Sequence, residues 1–248
     1  MKAEAYFQGV RTIIERIAVE QLPAIQRVAG AIAVSIGNGS LLHVFGSGHS
    51  HMAAEEVFHR AGGLCCINAI LDPALSGHGP FGTALERVPG YIPVLFSQYD
   101  FRAGEHLIVI SNSGINAAPV EAALYGKEHG LVVTAITSLT HSQSMPSRHP
   151  SGSKLYELAD HVIDNCGPTG DALLEVPGVE ERVCATSTVT TALIMNMLMA
   201  EVVGRLVAAG TIPPVLRSAN LPSKAPGYQE RCAAFEQRIR LQAAYGAR

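Results

Sequence analysis

The chain has 248 residues, 48% of them hydrophobic, enough to bury one large core or two modest ones. Its net charge is −3 and its 18 lysines and arginines are spread without a block, which argues against nucleic acid as a partner. The five cysteines (Cys65, Cys66, Cys166, Cys184, Cys232) form no CxxC pair and no zinc spacing, so they are expected as small buried residues of a reduced compartment.

The N-terminal run MKAEAYFQGVRTIIERI mixes charges of both signs and offers no apolar core of a signal peptide. Residues 3–36 place Ile13, Ile14, Ile17, Leu22, Ile25, Val28, Ile32 and Ile36 at threes and fours, a helical pattern that Pro23 divides or kinks. Five apolar runs then follow as predicted strands: Leu41–Phe45, Leu64–Ile70, His106–Ile110, Leu131–Thr137 and His161–Asp164. None alternates polar with apolar, as expected of strands covered on both faces. Helices are expected near 50–61, 116–129, 153–159 and 183–209, with a last amphipathic helix over 228–244.

The alternation predicts an α/β fold, a doubly wound five-stranded parallel sheet with extra N- and C-terminal helices. One domain is expected over 1–248, with its core at about 30–210, N-terminal helices 3–36 and C-terminal helix 228–244. The most apolar long stretch, Thr191 to Ala209, carries Asn196, Glu201 and Arg205, so it reads as a buried helix rather than a membrane span. A soluble cytoplasmic protein without a membrane partner is the expectation. Two segments break the rhythm. Asp72–Arg102 and Pro168–Val179 are rich in glycine and proline, and a long irregular connection is commonly a lid or an inter-subunit arm. Thr211–Gly227 forms another proline-rich loop.

Two short stretches carry the chemistry. Gly46-Ser47-Gly48-His49-Ser50 follows the first strand, and Ser111-Asn112-Ser113-Gly114-Ile115-Asn116 follows the third. Each puts small hydroxyls and backbone N–H groups at a strand end that leads into a helix, a neutral cradle suited to a phosphate monoester. Neither turn holds a lysine or arginine. Gly114 is free to take positive φ and Asn116 is a fair N-cap. Simple turns and caps would also explain each stretch alone, but two such loops after neighbouring strands converge where strand order reverses. The first is neither a dinucleotide fingerprint, since position 51 is histidine and the first acid, Asp72, falls past the strand, nor a P-loop.

These residues resemble the sugar isomerase (SIS) domain family, across FGSGHS with its helix and VISNSGINAAPVEAALYGKEHGLVVTAIT. The resemblance spans about residues 30–210 and implies the flavodoxin-like strand order of that family. In SIS domains a Ser-x-Ser-Gly-x-Thr pattern holds the phosphate of a phosphosugar. Ser111, Ser113 and Gly114 match it, and Asn116 stands where threonine is usual. The chain is most similar to a bacterial SIS subfamily of unassigned chemistry related to the phosphoheptose isomerases, also across ALERVPGY and ATSTVTTALIMNML.

The helix HSHMAAEEVFHRAGG gathers the titratable groups. His51, Glu55 and His59 are spaced i, i+4, i+8, and Glu56 and Arg60 form a second i, i+4 pair. An ordinary solvated stripe would have the same spacing. The resemblance puts histidine of the heptose isomerases at Glu56, a catalytic glutamate at Arg60, and their metal ligands at Cys184 and Ser187. None of that metal set is kept, so no metal and no cofactor is expected. Glu56 and His59, then Glu55, remain the acid–base candidates. Weaker candidates are His78, expected exposed; Glu180 and Glu181 as dipole partners of the late helix; and Thr186, Ser187, Thr188, Thr190, His141, Ser142 and Ser144 near the pocket.

The expected function is an aldose/ketose isomerase of a sugar phosphate, with one carboxylate moving a proton between C1 and C2 through a cis-enediol. A sugar-phosphate lyase or etherase is the nearest alternative, and a non-catalytic phosphosugar sensor the other. The surplus apolar surface of the terminal helices, together with the resemblance, implies a homodimer or homotetramer.

Overall fold

Apolar residues alternate between the two faces of every long strand, and this one fact organises the molecule. The structure, a computed structural model, describes residues 1–81, 83–218, 220 and 227–240. In chain order the helices are α1 (Lys2–Arg16), α2 (Leu22–Gly37), α3 (His51–Val57), α4 (Tyr91–Phe96), α5 (Ala117–Glu128), α6 (Leu139–Ser144), α7 (Leu155–Leu158), α8 (Ser187–Ala208) and α9 (Tyr228–Glu236). The strands are β1 (Leu42–Gly46), β2 (Ile67–Ile70), β3 (His106–Ile110), β4 (Val132–Thr137), β5 (His161–Asp164), β6 (Ala172–Leu174) and β7 (Val183–Ala185).

Strands β1 to β5 form one parallel sheet in the order β2-β1-β3-β4-β5, the flavodoxin-like order. Leu42, Val44, Ile108, Ile110, Ile136 and Ile163 point to one face, where α2 and α8 pack with residues of α1 and α3. Phe45, Leu107, Val109, Val133 and Ala135 point to the other, covered by α4, α5 and α7. The connection from β1 to β2 uses α3 on the first face, while those from β3 onward use helices on the second. The switch therefore falls between β1 and β3, and their two following loops are the ones that meet.

The N-terminal helices run as expected, with a π-helical turn, Ile17–Gln21, and Pro23 in the first turn of α2. Helix α8 buries Ile194, Met195, Leu198, Met199, Val202 and Leu206 at threes and fours and leaves its charged residues outward. By length and composition Lys2–Gly37 and Ser187–Ala208 would each cross a bilayer, but both contribute a buried stripe to the sheet's first face.

Several expected elements are shorter. Helix 50–61 stops at Val57, because Phe58 is extended and His59 is left-handed at φ 43°. Helix 153–159 is one turn, Leu155–Leu158. Helix 183–209 yields its first three residues to β7, which pairs antiparallel with β6, so Pro168–Val179 is in part a hairpin arm. Within Asp72–Arg102 lie two 3-10 turns, Pro73–Leu75 and Leu85–Arg87, and α4. The last helix is Tyr228–Glu236, and the remainder of the expected 228–244 falls partly outside the described residues.

Candidate functional site

The loop after β1 begins with a glycine for a steric reason. A Cβ on Gly46 would sit 2.5 Å from the Ser50 carbonyl oxygen, because the chain turns back at once. Gly48 takes φ 57°, and its amide donates to the Leu75 carbonyl (2.8 Å). The Ser50 and His51 amides bond back to Ser47 and Gly48 (3.1 and 3.2 Å). The sequence put backbone N–H groups at this strand end for a ligand, but these three are used within the protein. Ser47 is buried, His49 exposed and Ser50 half-buried.

The loop after β3 is tied to the strands beside it. The Ser111 amide donates to the Ile136 carbonyl (3.1 Å), and the Ser111 Oγ accepts from the Gly114 amide (3.1 Å). The Asn112 carbonyl accepts from the Ser138 amide (3.0 Å) and Thr137 Oγ1 (3.2 Å), and its Oδ1 from Asn165 Nδ2 (2.8 Å). Gly114 stands at φ 62°, where a Cβ would press on Leu155, Thr137 and Ser142 at 3.2–3.3 Å. Ser142 is buried, and its Oγ has no partner among the described residues. Ser113 is half-buried.

Asn116 occupies the N-cap position of α5 but its side chain caps nothing. Its Nδ2 donates instead to Glu86 Oε1 (2.9 Å), and its Oδ1 accepts from Arg148 Nη1 (3.1 Å). Glu86 Oε2 in turn accepts from Ser47 Oγ (2.9 Å). One carboxylate thus takes a hydrogen bond from each loop, which brings the two loops to within the span of a single anion. Neither Glu86 nor Arg148 is legible as a site residue from the sequence. Glu86 lies in the ALERVPGY stretch inside the long irregular connection, which is the signal that points to it. Arg148 carries no such signal. It is an exposed cation that the fold delivers beside a turn lacking its own.

The acid–base candidates on α3 separate. Glu55 Oε1 accepts from His51 Nδ1 (2.9 Å). Burial depresses the His51 pKa, against the opposing pull of Glu55, so the ring is neutral with Nδ1–H given to the carboxylate. The buried Nε2 is left as an acceptor with no partner among the described residues. Glu56 is committed elsewhere, to an ion pair with Arg60 and a hydrogen bond from Asn196 Nδ2 (3.1 Å). His59, past the helix end, is exposed beside the Phe58 ring and leaves the stripe that His51 and Glu55 share.

The remaining candidates find ordinary places. His78 is exposed. Ser187 and Thr188 line a crevice with His49 and Ser50, while Thr190 Oγ1 donates back to the Thr186 carbonyl (3.2 Å). The acidic partner at the start of α8 is neither Glu180 nor Glu181, both exposed, but Asp171. Its Oδ1 accepts from the Thr186 and Ser187 amides (2.9 and 2.7 Å) and its Oδ2 from Ser187 Oγ (2.6 Å). His141 Nδ1 accepts from the Gly170 amide (2.8 Å), and Ser144 is exposed. Asp72 caps the turn Pro73–Leu75 and accepts from the Tyr91 hydroxyl. Four of the five cysteines are buried and Cys184 is exposed, all as free thiols; burial pushes Cys66 up to about 12 and Cys166 to about 11. No cluster of three metal-ligating side chains occurs among the described residues.

A second polar cluster lies at the opposite, amino-terminal edge of the sheet. Glu105 accepts from His43 Nε2 (2.9 Å), from Arg238 Nη1 and Nη2 (2.7 and 3.0 Å), and from the Leu41 and Arg102 amides (2.8 and 3.0 Å). Burial opposes its charge, but these donors outweigh it and hold the carboxyl at about 2. Burial lowers the pKa of His43, whose neutral ring gives Nε2–H to Glu105 and takes Asn68 Nδ2 at Nδ1 (2.9 Å). This cluster clips the C-terminal segment onto the body.

The comparisons agree with this architecture. A family model described as SIS domain matches residues 5–138. A UPF0309 protein of Caldanaerobacter subterraneus subsp. tengcongensis is 42% identical over 242 residues, 96% of this chain and 98% of its own length. A UPF0309 protein of Halalkalibacterium halodurans is 38% identical over 244 residues, 98% of each chain. Among solved structures, a phosphoheptose isomerase of Neisseria gonorrhoeae superposes with a TM-score of 0.51 at 15% identity, covering 82% of this chain and 97% of its own. One from Francisella tularensis gives 0.50 at 16%, covering 81% and 96%. At such identity these two speak to the fold alone. With a matching family model, close relatives of equal length and the strand order in hand, the chain belongs to the SIS domain family.

Proposed function

We propose that this protein binds the phosphate of a sugar phosphate between the loops after β1 and β3, and interconverts aldose and ketose forms. The observation that carries the reading is the pair of hydrogen bonds that Ser47 and Asn116 give to one carboxylate at the switch point. Donors already converged on one anion are preorganised for another. The cradle comprises Gly46, Ser47, Gly48, His49 and Ser50 with Ser111, Asn112, Ser113, Gly114 and Asn116. Each charge-assisted hydrogen bond to a phosphate oxygen contributes about 1.5–3 kcal/mol. The twelve-residue α5 begins at this loop and adds the positive end of its dipole.

For the chemistry we propose the end of α3, with Glu55 as the acid–base group ahead of the other two candidates there, Glu56 and His59. Glu55 is favoured among them, because it orients a neutral buried histidine whose second nitrogen is an open acceptor. In an isomerase this pair would take the proton from one carbon of the sugar and return it to its neighbour. An etherase begins with the same α-proton removal, so product analysis separates the two. We further propose that the whole chain acts as one cytoplasmic SIS domain and assembles as a homodimer or homotetramer, which light scattering checks.

A thermal-shift series over hexose, heptose, N-acetylhexosamine and muramic acid 6-phosphates tests the cradle. Stabilisation should grow with ligand by mass action, reaching about 2.7 kcal/mol at a hundred times Kd. Equal stabilisation by the unphosphorylated sugars would remove the reading.

A further inference from the structure

Glu86 comes from neither ligand loop. It lies on the 3-10 turn Leu85–Arg87, in the middle of the connection between β2 and β3, yet its two oxygens take the side-chain donors of Ser47 and Asn116, one each. A Cβ on Gly48 would lie 3.6 Å from the same carboxylate, so the group covers the left-handed glycine of the first turn. Phosphate and carboxylate cannot both occupy these donors. A donor hydrogen serves one acceptor well, and two anions in contact repel.

The segment carrying Glu86 has the construction of a strap between two posts. At one end Asp72 caps Pro73–Leu75, and the Leu75 carbonyl is fixed by the Gly48 amide (2.8 Å). At the other, the buried Glu121 accepts from the Gly90 and Ile92 amides (2.6 and 3.4 Å). Between them the turn buries no residue, Phe81 and Val88 are exposed, and the backbone bonds are local: Arg87 to Ala84 and Val88 to Leu85 (both 3.1 Å). Among the described residues of this stretch only Leu85, half-buried against the α4–α5 side, ties its apolar surface to the core.

We propose that Glu86 is an internal occupant of the phosphate seat, displaced with its turn when a phosphate monoester binds. This rests on the cradle reading above. The device sets a threshold on the ligand. A neutral sugar cannot displace the carboxylate, a singly charged carboxylate ligand gains little over it, and a phosphate dianion outcompetes it. Arg148, already on Asn116, stays behind to meet the added charge.

Calorimetric titration with inorganic phosphate and with glucose 6-phosphate tests this on wild type, Glu86→Ala, Glu86→Gln and the double variant Ser111→Ala/Ser113→Ala. Glu86→Ala should bind phosphate about tenfold tighter than wild type, and Glu86→Gln, which keeps the shape without the charge, should fall between. In wild type, phosphate should speed amide hydrogen exchange across 84–88 as the turn leaves its seat. Equal or weaker phosphate binding by Glu86→Ala, with wild-type binding intact, overturns the proposal and leaves the cradle standing. Slowed exchange at 84–88 on adding phosphate overturns it as well. If no protein, Glu86→Ala included, takes up phosphate or its ester, the cradle and the internal occupant fall together.

Discussion

Two glutamates mark the two edges of the sheet, and they are held in opposite ways. Glu105, at the amino edge, is 2% exposed and takes five donor contacts, two of them from a guanidinium and two from backbone amides. Glu86, at the carboxyl edge, is half-buried and takes two neutral side-chain donors. A saturated, charge-paired carboxylate in the interior is a permanent fixture, because nothing that enters offers a better environment. A carboxylate on two neutral donors near solvent is exchangeable for a stronger anion. The same side chain serves as structure at one edge and as a stand-in at the other.

The sharpest way to break this contrast is to remove the guanidinium. Arg238→Met leaves Glu105 charged and short of two donors, and should cost about 3–5 kcal/mol in urea unfolding. Phosphate affinity at the far edge should stay within twofold. A loss below about 1 kcal/mol would mean that the amino edge is not the fixture its geometry implies.

Acid titration makes the same point without mutation. The Glu105 carboxyl is lower in the folded protein (about 2) than its ordinary value of 4.5, so the unfolded chain binds the extra proton. Its stabilisation, about 3 kcal/mol, is complete above pH 4.5 and lost as pH falls toward 2. His43 acts in the same direction from higher pH. Its folded pKa lies below 6.5, so its contribution begins to fade as pH drops through that value. Unfolding free energy measured from pH 7 to 3 should fall monotonically, and Arg238→Met should flatten the lower part of the curve.

At the carboxyl edge the effects should appear in binding rather than folding. Ser111→Ala/Ser113→Ala should weaken phosphate-ester affinity about 10- to 100-fold. The stability cost should be near 1 kcal/mol, since the Gly114 amide loses the Ser111 acceptor. Smallest in stability is Glu55→Gln, expected within about 0.5 kcal/mol at an exposed position. Its turnover should collapse while sugar-phosphate affinity holds, whereas Glu56→Gln, whose carboxylate serves Arg60 and Asn196, should keep most of its turnover. The reverse pattern in steady-state kinetics would move the chemistry to Glu56.

Much of the frame was readable in advance. The strands at His106–Ile110 and His161–Asp164 lie where the sequence runs put them; the first is buried along its whole length, as apolar residues in succession imply, whereas the second is an edge strand with only Ile163 fully buried. The two turns after β1 and β3 were readable for a related reason, since glycines and small hydroxyl residues directly after such a run mark a tight turn into a helix. The hairpin of β6 and β7 was not readable, as three-residue strands exist only through their pairing. The end of α3 was hidden too. Phe58 and His59 break the helix without glycine or proline, so the stripe of His51, Glu55 and His59 that the spacing implied is cut after its second member. Asn116 looked like a cap and is instead a bridge between Glu86 and Arg148.

The sequence by itself determined the layers, the parallel sheet and the pair of turns after β1 and β3, because those follow from local polarity and from residues suited to a turn. The tertiary structure alone decided which charges reach those turns. Glu86 lies 39 residues from Ser47 and 30 from Asn116, and Arg148 lies 32 beyond Asn116, so neither is a local neighbour of the residues it reaches. Long-range placement of a charge depends on how connections are anchored over the sheet, and neither composition nor periodicity encodes that.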